Sequence, residues 1–370
     1  MIGMFLDLSK AFDTVNHKIL CDKMECYGIR GTTFEWFQSY LNNRSQYVSF
    51  DNTTSSNANI KCGVPQGSIL GPLLFLLYVN DIVNVSNDLL PILFADDTNI
   101  FLEGTDIDEM CTIMNSEIEK LCSWLNVNKL SLNVEKTHYM VFTKRQNLKV
   151  NVPLQIMNVN IKQVDCTKFL GVHIDSHLKW SEHIKFIKNK IAKGLGILNK
   201  VRKLLTRKTI VTLYNSFILP HLTYCIEVWG ATFDCYLEGL NILHKKAIRL
   251  ITSKPKMTHT APLFKQLNLL NLSQLYTFAI NMFMFKFTYR LLPPVFTDMF
   301  VYNSSVHTYQ TRQDYLLHVP LSQSVVLSNS IRIKGVTIWN AIHKCVNIEC
   351  SLACFKRKLK DFLLSHNVNI

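Results

Sequence analysis

The sequence lacks an apolar run long enough to cross a membrane. The longest such run, Ile69 to Val79, contains Gly71 and Pro72 and is shorter than the ~20 residues that a membrane helix needs. A secretory signal is also missing, because Asp7 and Lys10 stand where a basic segment and an apolar core would be expected. No internal repeat or low-complexity tract is visible. These absences predict an intracellular protein that does not contact membranes.

A disulfide framework is absent as well. The 11 cysteines are an odd number and are scattered along the 370 residues, which favours reduced thiols in an intracellular protein. Cys345, Cys350 and Cys354 with His366 match no common zinc spacing. Acidic residues are fewer than basic ones, and the formal net charge is +13 with a pI of about 9.2. This balance favours nucleic acid as a partner, although a basic surface can serve other purposes.

Two adjacent carboxylates lie between two short apolar runs in Pro91 to Leu102. The pattern predicts strand, tight turn and strand, with Asp96 and Asp97 at the tip. Successive side chains on a strand point to opposite faces, so a turn is one of the few places where both acids can approach one site. The pair therefore predicts either a solvated turn or a site for a hard cation such as Mg²⁺.

A third acid, Asp7, interrupts the apolar run Met4 to Leu8. An acid in a buried strand is costly unless it is paired or binds a metal. A metal shared with Asp96 and Asp97 would satisfy all three carboxylates. Three acids on two facing elements fit two cations about 4 Å apart that clamp an in-line phosphoryl displacement.

Five segments, in this order, resemble the motifs of reverse transcriptases from non-LTR (LINE-type) retrotransposons. They are Phe5 to Asp13, Pro65-Gln66-Gly67, Phe94 to Asp97, Lys136-Thr137 and Lys168 to Asp175. The resemblance implies an α+β fold, namely a right-hand polymerase palm with an antiparallel sheet and helices packed on one face. A helical thumb and a mainly helical C-terminal region would follow. We expect the palm at 1–178, the basic thumb-like region at 179–208 and a post-polymerase region of unknown role at 209–370.

The resemblance also implies an activity, RNA-directed DNA polymerisation by two-metal nucleotidyl transfer from a dNTP to a primer 3′-hydroxyl. Asp7, Asp96 and Asp97 would be the catalytic carboxylates. With the carbonyl of Leu8 they would hold two Mg²⁺ ions, or Mn²⁺. The implied partners are an RNA template, a DNA primer and dNTPs, and the oligomeric state stays open.

Further residues carry roles that the resemblance implies. Gln66 and Gly67 would line the nucleotide and template pocket, and Lys136 could protonate pyrophosphate. Phe12 would be an aromatic gate against a 2′-hydroxyl, or else a buried core residue. Leu170 and Gly171 belong to the segment that resembles the primer grip.

Residues 179–208 contain ten lysines or arginines and a single acid, Glu182. Lys185, Lys188 and Lys193 would contact template and primer phosphates there, although a solvated helix face is the alternative. A second basic cluster has two interpretations. It contacts RNA, or it belongs to an ordinary exposed helix whose other side faces the core. It comprises His244, Lys245, Lys246, Arg249, Lys254 and Lys256, with no acid between Gly239 and Lys265.

Local patterns give four smaller predictions. Thr32 and Glu35 have the spacing of a capping box, and Asp13 is expected to be an N-cap of the following helix. Lys168 to Ile174 is expected to be one strand. Leu205 is expected to share the apolar helix face that begins near His183.

Members of the resembled family carry a fingers region before the first palm motif, whereas this chain begins six residues before Asp7. We therefore expect a truncated copy or an incomplete gene, and poor polymerase activity without the fingers residues that grip the triphosphate. Three classes stay open. The first is a polymerase, favoured because the carboxylates and Gln66-Gly67 are intact. The others are a catalytically inactive truncated remnant that binds nucleic acid and a folded protein without function.

Overall fold

The computed structural model describes residues 1–144, 150–306, 312–322, 324–346 and 348–366. The chain divides into two compact units, Met1–Thr167 and Lys168–Ile370. Among the helices described, none combines the length and the apolar character needed to span a membrane. The finer division of the second unit into a thumb and a post-polymerase region stays a prediction.

The first unit mixes short strands and helices. In chain order they are β1 (Ile2–Leu6), β2 (Leu8–Ser9), α1 (Ala11–Thr14), α2 (His17–Cys26), α3 (Thr32–Leu41), β3 (Ser45–Gln46), β4 (Ser49–Phe50), β5 (Thr53–Thr54), β6 (Ala58–Asn59), α4 (Leu70–Val79), a 3-10 helix (Asn80–Asn84), β7 (Leu90–Phe94), β8 (Asp97–Leu102), α5 (Ile107–Val127), β9 (Ser131–Leu132), β10 (His138–Val141), β11 (Gln155–Ile156), β12 (Val159–Asn160), β13 (Lys162–Gln163) and β14 (Cys166–Phe169), which crosses into the second unit.

A five-stranded sheet organises this unit in the order β13-β10-β1-β8-β7. The central strand β1 is buried along its whole length and runs antiparallel to β10 and β8. Its even-numbered residues Ile2, Met4 and Leu6 share a core with buried residues of α4 and α5. Phe5 faces the other way and stacks on His138. Because side chains alternate along a strand, the helices pack on one face of the sheet, and the predicted α+β fold is confirmed.

Two of the local predictions for this unit are wrong. Thr32 is the first residue of α3 and not its cap, because Gly31, at a φ of 62°, occupies the cap position without a side chain to donate or accept. The N-cap of α2 is Asn16, whose side chain accepts from the Ile19 N–H at 3.1 Å. Asp13 lies inside α1 instead.

The second unit is mainly helical, as expected. In chain order its elements are β15 (Val172–Asp175), α6 (Ser181–Val201), α7 (Arg207–Phe217), α8 (Leu219–Thr223), α9 (Ile226–Trp229), α10 (Asp234–Ile251), α11 (Ala261–Gln266), α12 (Leu272–Thr288), a 3-10 helix (Pro294–Phe296), α13 (Asn303–Val306), α14 (Val325–Ser328), a π-helix (Ile331–Gly335), α15 (Val336–His343) and α16 (Leu352–Ser365).

The apolar stripe of α6 is buried as predicted, with Ile184, Ile191 and Leu198 in the core of this unit. Leu205, however, lies beyond the end of α6 and is exposed. The predicted single strand Lys168 to Ile174 is also wrong. It is a hairpin of β14 and β15, because both turn residues, Leu170 and Gly171, have positive φ.

His244 does not belong to the basic surface cluster in which the sequence placed it. It is 1% exposed, and its Nε2 lies 2.7 Å from the hydroxyl of Tyr214, which is also buried. Burial lowers the pKa of His244 to about 3, so this side chain is neutral in the folded protein. The remaining basic residues of the cluster lie at or near the surface.

Candidate active site

Strand register places the three predicted carboxylates at one end of the sheet. Leu6, the last residue of β1, lies opposite Thr98 of β8. Because the strands are antiparallel, Asp7 follows Leu6 and Asp97 precedes Thr98 at the same end of the sheet. Phe94 pairs with Asp97 across the turn that joins β7 to β8. Asp96 lies in that turn. The turn is tight because Ala95 adopts a left-handed conformation with a φ of 53°.

The charges of these acids affect one another. The pKa of Asp97 is raised by partial burial and by the negative charges of Asp96 and Asp7. Lys136 offsets some of this repulsion, since its Nζ lies 3.7 Å from Oδ2 of Asp7. That ion pair is well exposed and contributes little stability. A bound cation would relieve the repulsion more effectively, because a like-charged cluster favours an opposite charge.

The donor set fits a hard cation that brings ligands of its own. Within the described residues, no three His, Cys, Asp or Glu side chains already form a metal-binding group. Asp96 and Asp97 are exposed and Asp7 is half-exposed. They therefore offer an open set of carboxylate oxygens. Mg²⁺ is usually held in this way, by one or two carboxylates together with waters and substrate phosphates.

The Gly63 to Gln66 loop is fastened to the segment that follows β1. The Val64 N–H donates to the Phe12 carbonyl at 2.8 Å, and Gln66 Nε2 donates to Asp13 Oδ1 at 2.9 Å. His17 Nε2 donates to the Gly63 carbonyl at 2.8 Å. The close approach of the loop backbone to Asp13 requires glycine at position 63, because a Cβ at Gly63 would lie 2.8 Å from the Asp13 carbonyl oxygen.

A cavity of about 360 Å³ lies between this loop and the carboxylate turn. Five of the residues predicted for the site line it, namely Leu8, Phe12, Gln66, Gly67 and Asp96. Phe12 also stacks on Phe75 with ring centroids 4.5 Å apart, so it contacts the core and the cavity at once. Asp7, Asp97 and Lys136 also lie in the first unit, at the end of the sheet, so this unit holds eight of the predicted site residues.

The other five predicted residues lie in the second unit. Leu170 and Gly171 form the turn between β14 and β15, and the Leu170 carbonyl accepts a hydrogen bond of 2.6 Å from the Tyr224 hydroxyl. Lys185, Lys188 and Lys193 are exposed on α6. The Lys188 side chain lies across Gly239 of α10.

Sequence reasoning missed three residues that support the site. Asp13 accepts a hydrogen bond from Gln66, His17 donates one to the Gly63 carbonyl, and Tyr224 donates one to the Leu170 carbonyl. Asp13 ends the first motif and His17 follows it by four residues, so their position and polarity marked them as candidates but did not identify their partners. Tyr224 offered no signal of this kind, because its partner lies 54 residues away.

Comparison with known proteins agrees with this geometry. Residues 1–174 match the family model described as reverse transcriptase (RNA-dependent DNA polymerase). These residues, just under half of the chain, match a reverse transcriptase domain. The predicted resemblance to the reverse transcriptases of non-LTR retrotransposons is confirmed.

Two Drosophila melanogaster proteins illustrate the relationship. The probable RNA-directed DNA polymerase from transposon X-element is 28% identical over 275 residues, which cover 72% of this chain and 30% of that protein. The RNA-directed DNA polymerase from mobile element jockey is 28% identical over 298 residues, covering 76% and 32%. The chain therefore spans about a third of the length of these relatives. Among solved structures, apo telomerase from Candida tropicalis matches with a TM-score of 0.40 and 13% identity, over 72% of this chain and 43% of that one.

Proposed function

We propose that this chain provides the RNA-directed DNA polymerase activity of a non-LTR retrotransposon inside the cell. It would transfer a nucleotide from a dNTP to the 3′-hydroxyl of a DNA primer paired with an RNA template. The observation that carries the proposal is the pairing of Leu6 with Thr98, because it brings Asp7 and Asp97 to the same end of the sheet as Asp96. The loop that holds Gln66 borders the same cavity.

Asp7, Asp96 and Asp97, with the carbonyl of Leu8, would hold two Mg²⁺ ions, or Mn²⁺. Bound there, the ions would supply Lewis-acid activation of the 3′-hydroxyl and neutralise charge on the transferred phosphate. The carboxylates would fix where that positive charge lies. Lys136, beside Asp7, would give a proton to the leaving pyrophosphate.

The cavity beside Asp96 would position the nucleotide. Gln66 and Gly67 line the cavity from the loop, and Phe12, which stacks on Phe75, lines it as well. A flat ring held in this way would leave no room for a ribose 2′-hydroxyl. The turn at Leu170-Gly171 would contact the primer, and Lys185, Lys188 and Lys193 would contact phosphates without reading the base sequence.

A second candidate function is nucleic-acid binding without catalysis. The exposed lysines of α6 support it, since phosphate contacts of this kind do not depend on the carboxylates. This candidate predicts salt-dependent binding to a primer and template by a chain that adds no nucleotide.

Primer extension on an RNA template, with and without a divalent cation, separates the two candidates. The polymerase proposal expects extension with Mg²⁺ and none after chelation by EDTA. Duplex affinity is measured in the same samples over a range of salt concentrations. Salt-dependent binding without extension would favour the second candidate, and neither binding nor extension would reject both.

A further inference from the structure

A cavity of about 430 Å³ in the second unit lies between α10 and the beginning of α12. It is separate in sequence from every residue assigned above to polymerisation. Its charged and polar lining includes Lys245, Arg249, His259, Asn241, Asn271 and Ser273. This surface is called the α10 cavity below.

The α10 cavity gathers positive charge. Asn241, Lys245 and Arg249 follow one another at intervals of four residues, so they form a single stripe along α10. Two like charges at this spacing repel each other and weaken a helix slightly. No Asp or Glu occurs between Gly239 and Lys265, and none is among the described residues that line the cavity. An anion would therefore be attracted to this stripe.

Arg249 is already oriented. Its Nε donates to the Thr258 carbonyl at 2.9 Å, and this bond does not use the two terminal nitrogens of the guanidinium. A guanidinium held by one edge loses less side-chain freedom when its other edge binds an anion. Arg249 can therefore bind two oxygens of a phosphate or carboxylate at once.

The helix α12 favours the same kind of ligand. It has 17 residues, and its N-terminal end carries partial positive charge from unpaired backbone N–H groups. Ser273, in its first turn, lines the cavity with a hydroxyl group. Asn271 caps the helix by accepting from the Gln274 N–H at 2.9 Å. The helix end, the hydroxyl group and the two basic side chains thus meet at one concave surface.

We propose that the α10 cavity binds a backbone phosphate of nucleic acid, as a contact additional to those of the polymerase site and α6. The proposal rests on the proposed function only in taking nucleic acid as the partner. A phosphate is favoured over a base because the charged side chains are basic and the helix end attracts an anion. The contact would add affinity without sequence preference.

The experiment uses the full chain and a short fluorescein-labelled RNA–DNA hybrid, with affinity measured by anisotropy over a range of KCl concentrations. The variant is Lys245→Ala. Its matched control is Lys246→Ala, which removes the same charge from the neighbouring exposed residue of α10 that does not line the cavity. Arg249→Ala is the second variant, and the thermal midpoint of each protein is recorded to show that it is folded.

Loss of one phosphate contact should lower the slope of log Kobs against log salt by about 1. At physiological salt this corresponds to a loss of about fivefold in affinity. We expect this result for Lys245→Ala and Arg249→Ala, with Lys246→Ala close to the unchanged chain. Wild-type binding with the same slope and affinity in all three variants would overturn the inference and leave the proposed function standing.

Two other outcomes would also overturn the inference. A chain that does not bind the hybrid at all would contradict it together with the proposed function. Polyglutamate is added as a competitor to test for an acidic protein partner. If Lys245→Ala weakened binding of polyglutamate but not of the hybrid, the occupant of the α10 cavity would be an acidic polypeptide.

Discussion

Leu6 lies opposite Thr98 in the antiparallel pairing of β1 with β8. This single pairing determines where two acids far apart in sequence emerge, because Asp7 and Asp97 are the next residues beyond it. A slip of one residue would turn one of the two carboxylates to the opposite face of the sheet. The buried, apolar face of β1 opposes such a slip, since Ile2, Met4 and Leu6 would lose their place in the core.

The raised pKa of Asp97 gives the first prediction. Partial burial raises it most, and the negative charges of Asp96 and Asp7 raise it further, so Asp7→Asn should lower the Asp97 pKa. Mg²⁺ should lower it as well, because a cation favours the ionised carboxylate. Carboxyl ¹³C shifts followed through an acid titration measure both effects. Asp22→Asn, at an exposed position on α2, is the control, and an Asp97 pKa indifferent to both changes would show that the carboxylates do not share a site.

The contact between Gln66 and Asp13 gives the second prediction. Asp13→Ala removes the acceptor of the 2.9 Å hydrogen bond and frees Gln66 from the cavity wall. Because this hydrogen bond is exposed, it contributes about 0.5–1.5 kcal/mol, so KM for dNTP should rise by about two- to tenfold, with a smaller change in kcat. Asp13→Asn keeps a carbonyl acceptor and should restore most of the affinity. Equal KM values for both variants would show that Asp13 does not position Gln66.

Phe12 gives the third prediction. It lines the cavity and stacks on Phe75, so Phe12→Val should open space beside the sugar. Ribonucleotide incorporation should then rise relative to deoxyribonucleotide incorporation, as measured by competition between rNTP and dNTP. If selectivity stays the same while the thermal midpoint falls, Phe12 is a core residue only.

Two buried histidines of the second unit give the fourth prediction. Burial lowers the pKa of His183 to about 4 and that of His244 to about 3, below the unfolded value near 6.5. Both are neutral when folded, so their effect on stability is constant above about pH 6.5 and becomes unfavourable as the pH falls below that value. Below about pH 6.5, and down to its folded pKa, each histidine should lower the free energy of unfolding by about 1.4 kcal/mol per pH unit.

Urea unfolding, measured from about pH 7 down to about pH 5, tests this expectation. His244→Gln should reduce the pH dependence of the free energy of unfolding by about one proton. Asn189→Gln, at an exposed position of α6 that does not titrate, should leave it unchanged. The same pH dependence in both variants would contradict the burial of a neutral His244.

The sequence predicted the hairpin around Asp96 and Asp97 because two apolar runs flank a pair of turn formers, a purely local pattern. It could not predict the pairing of Leu6 with Thr98, since register depends on the core that distant strands share. The contact between Asp13 and Gln66 was hidden for a similar reason. The partners are 53 residues apart, and polarity alone does not tell which acid meets which amide.

Single-turnover extension of a primer on an RNA template tests the central claim that the carboxylates at the end of the sheet carry the chemistry. The compared proteins are the unchanged chain, Asp96→Asn and the matched exposed variant Asp22→Asn. We expect Asp96→Asn to lose about 10³-fold or more in rate, because a catalytic metal supplies several kcal/mol and each 1.36 kcal/mol is tenfold. Asp22→Asn should extend like the unchanged chain. Extension by Asp96→Asn at the unchanged rate would contradict the assignment of the active site.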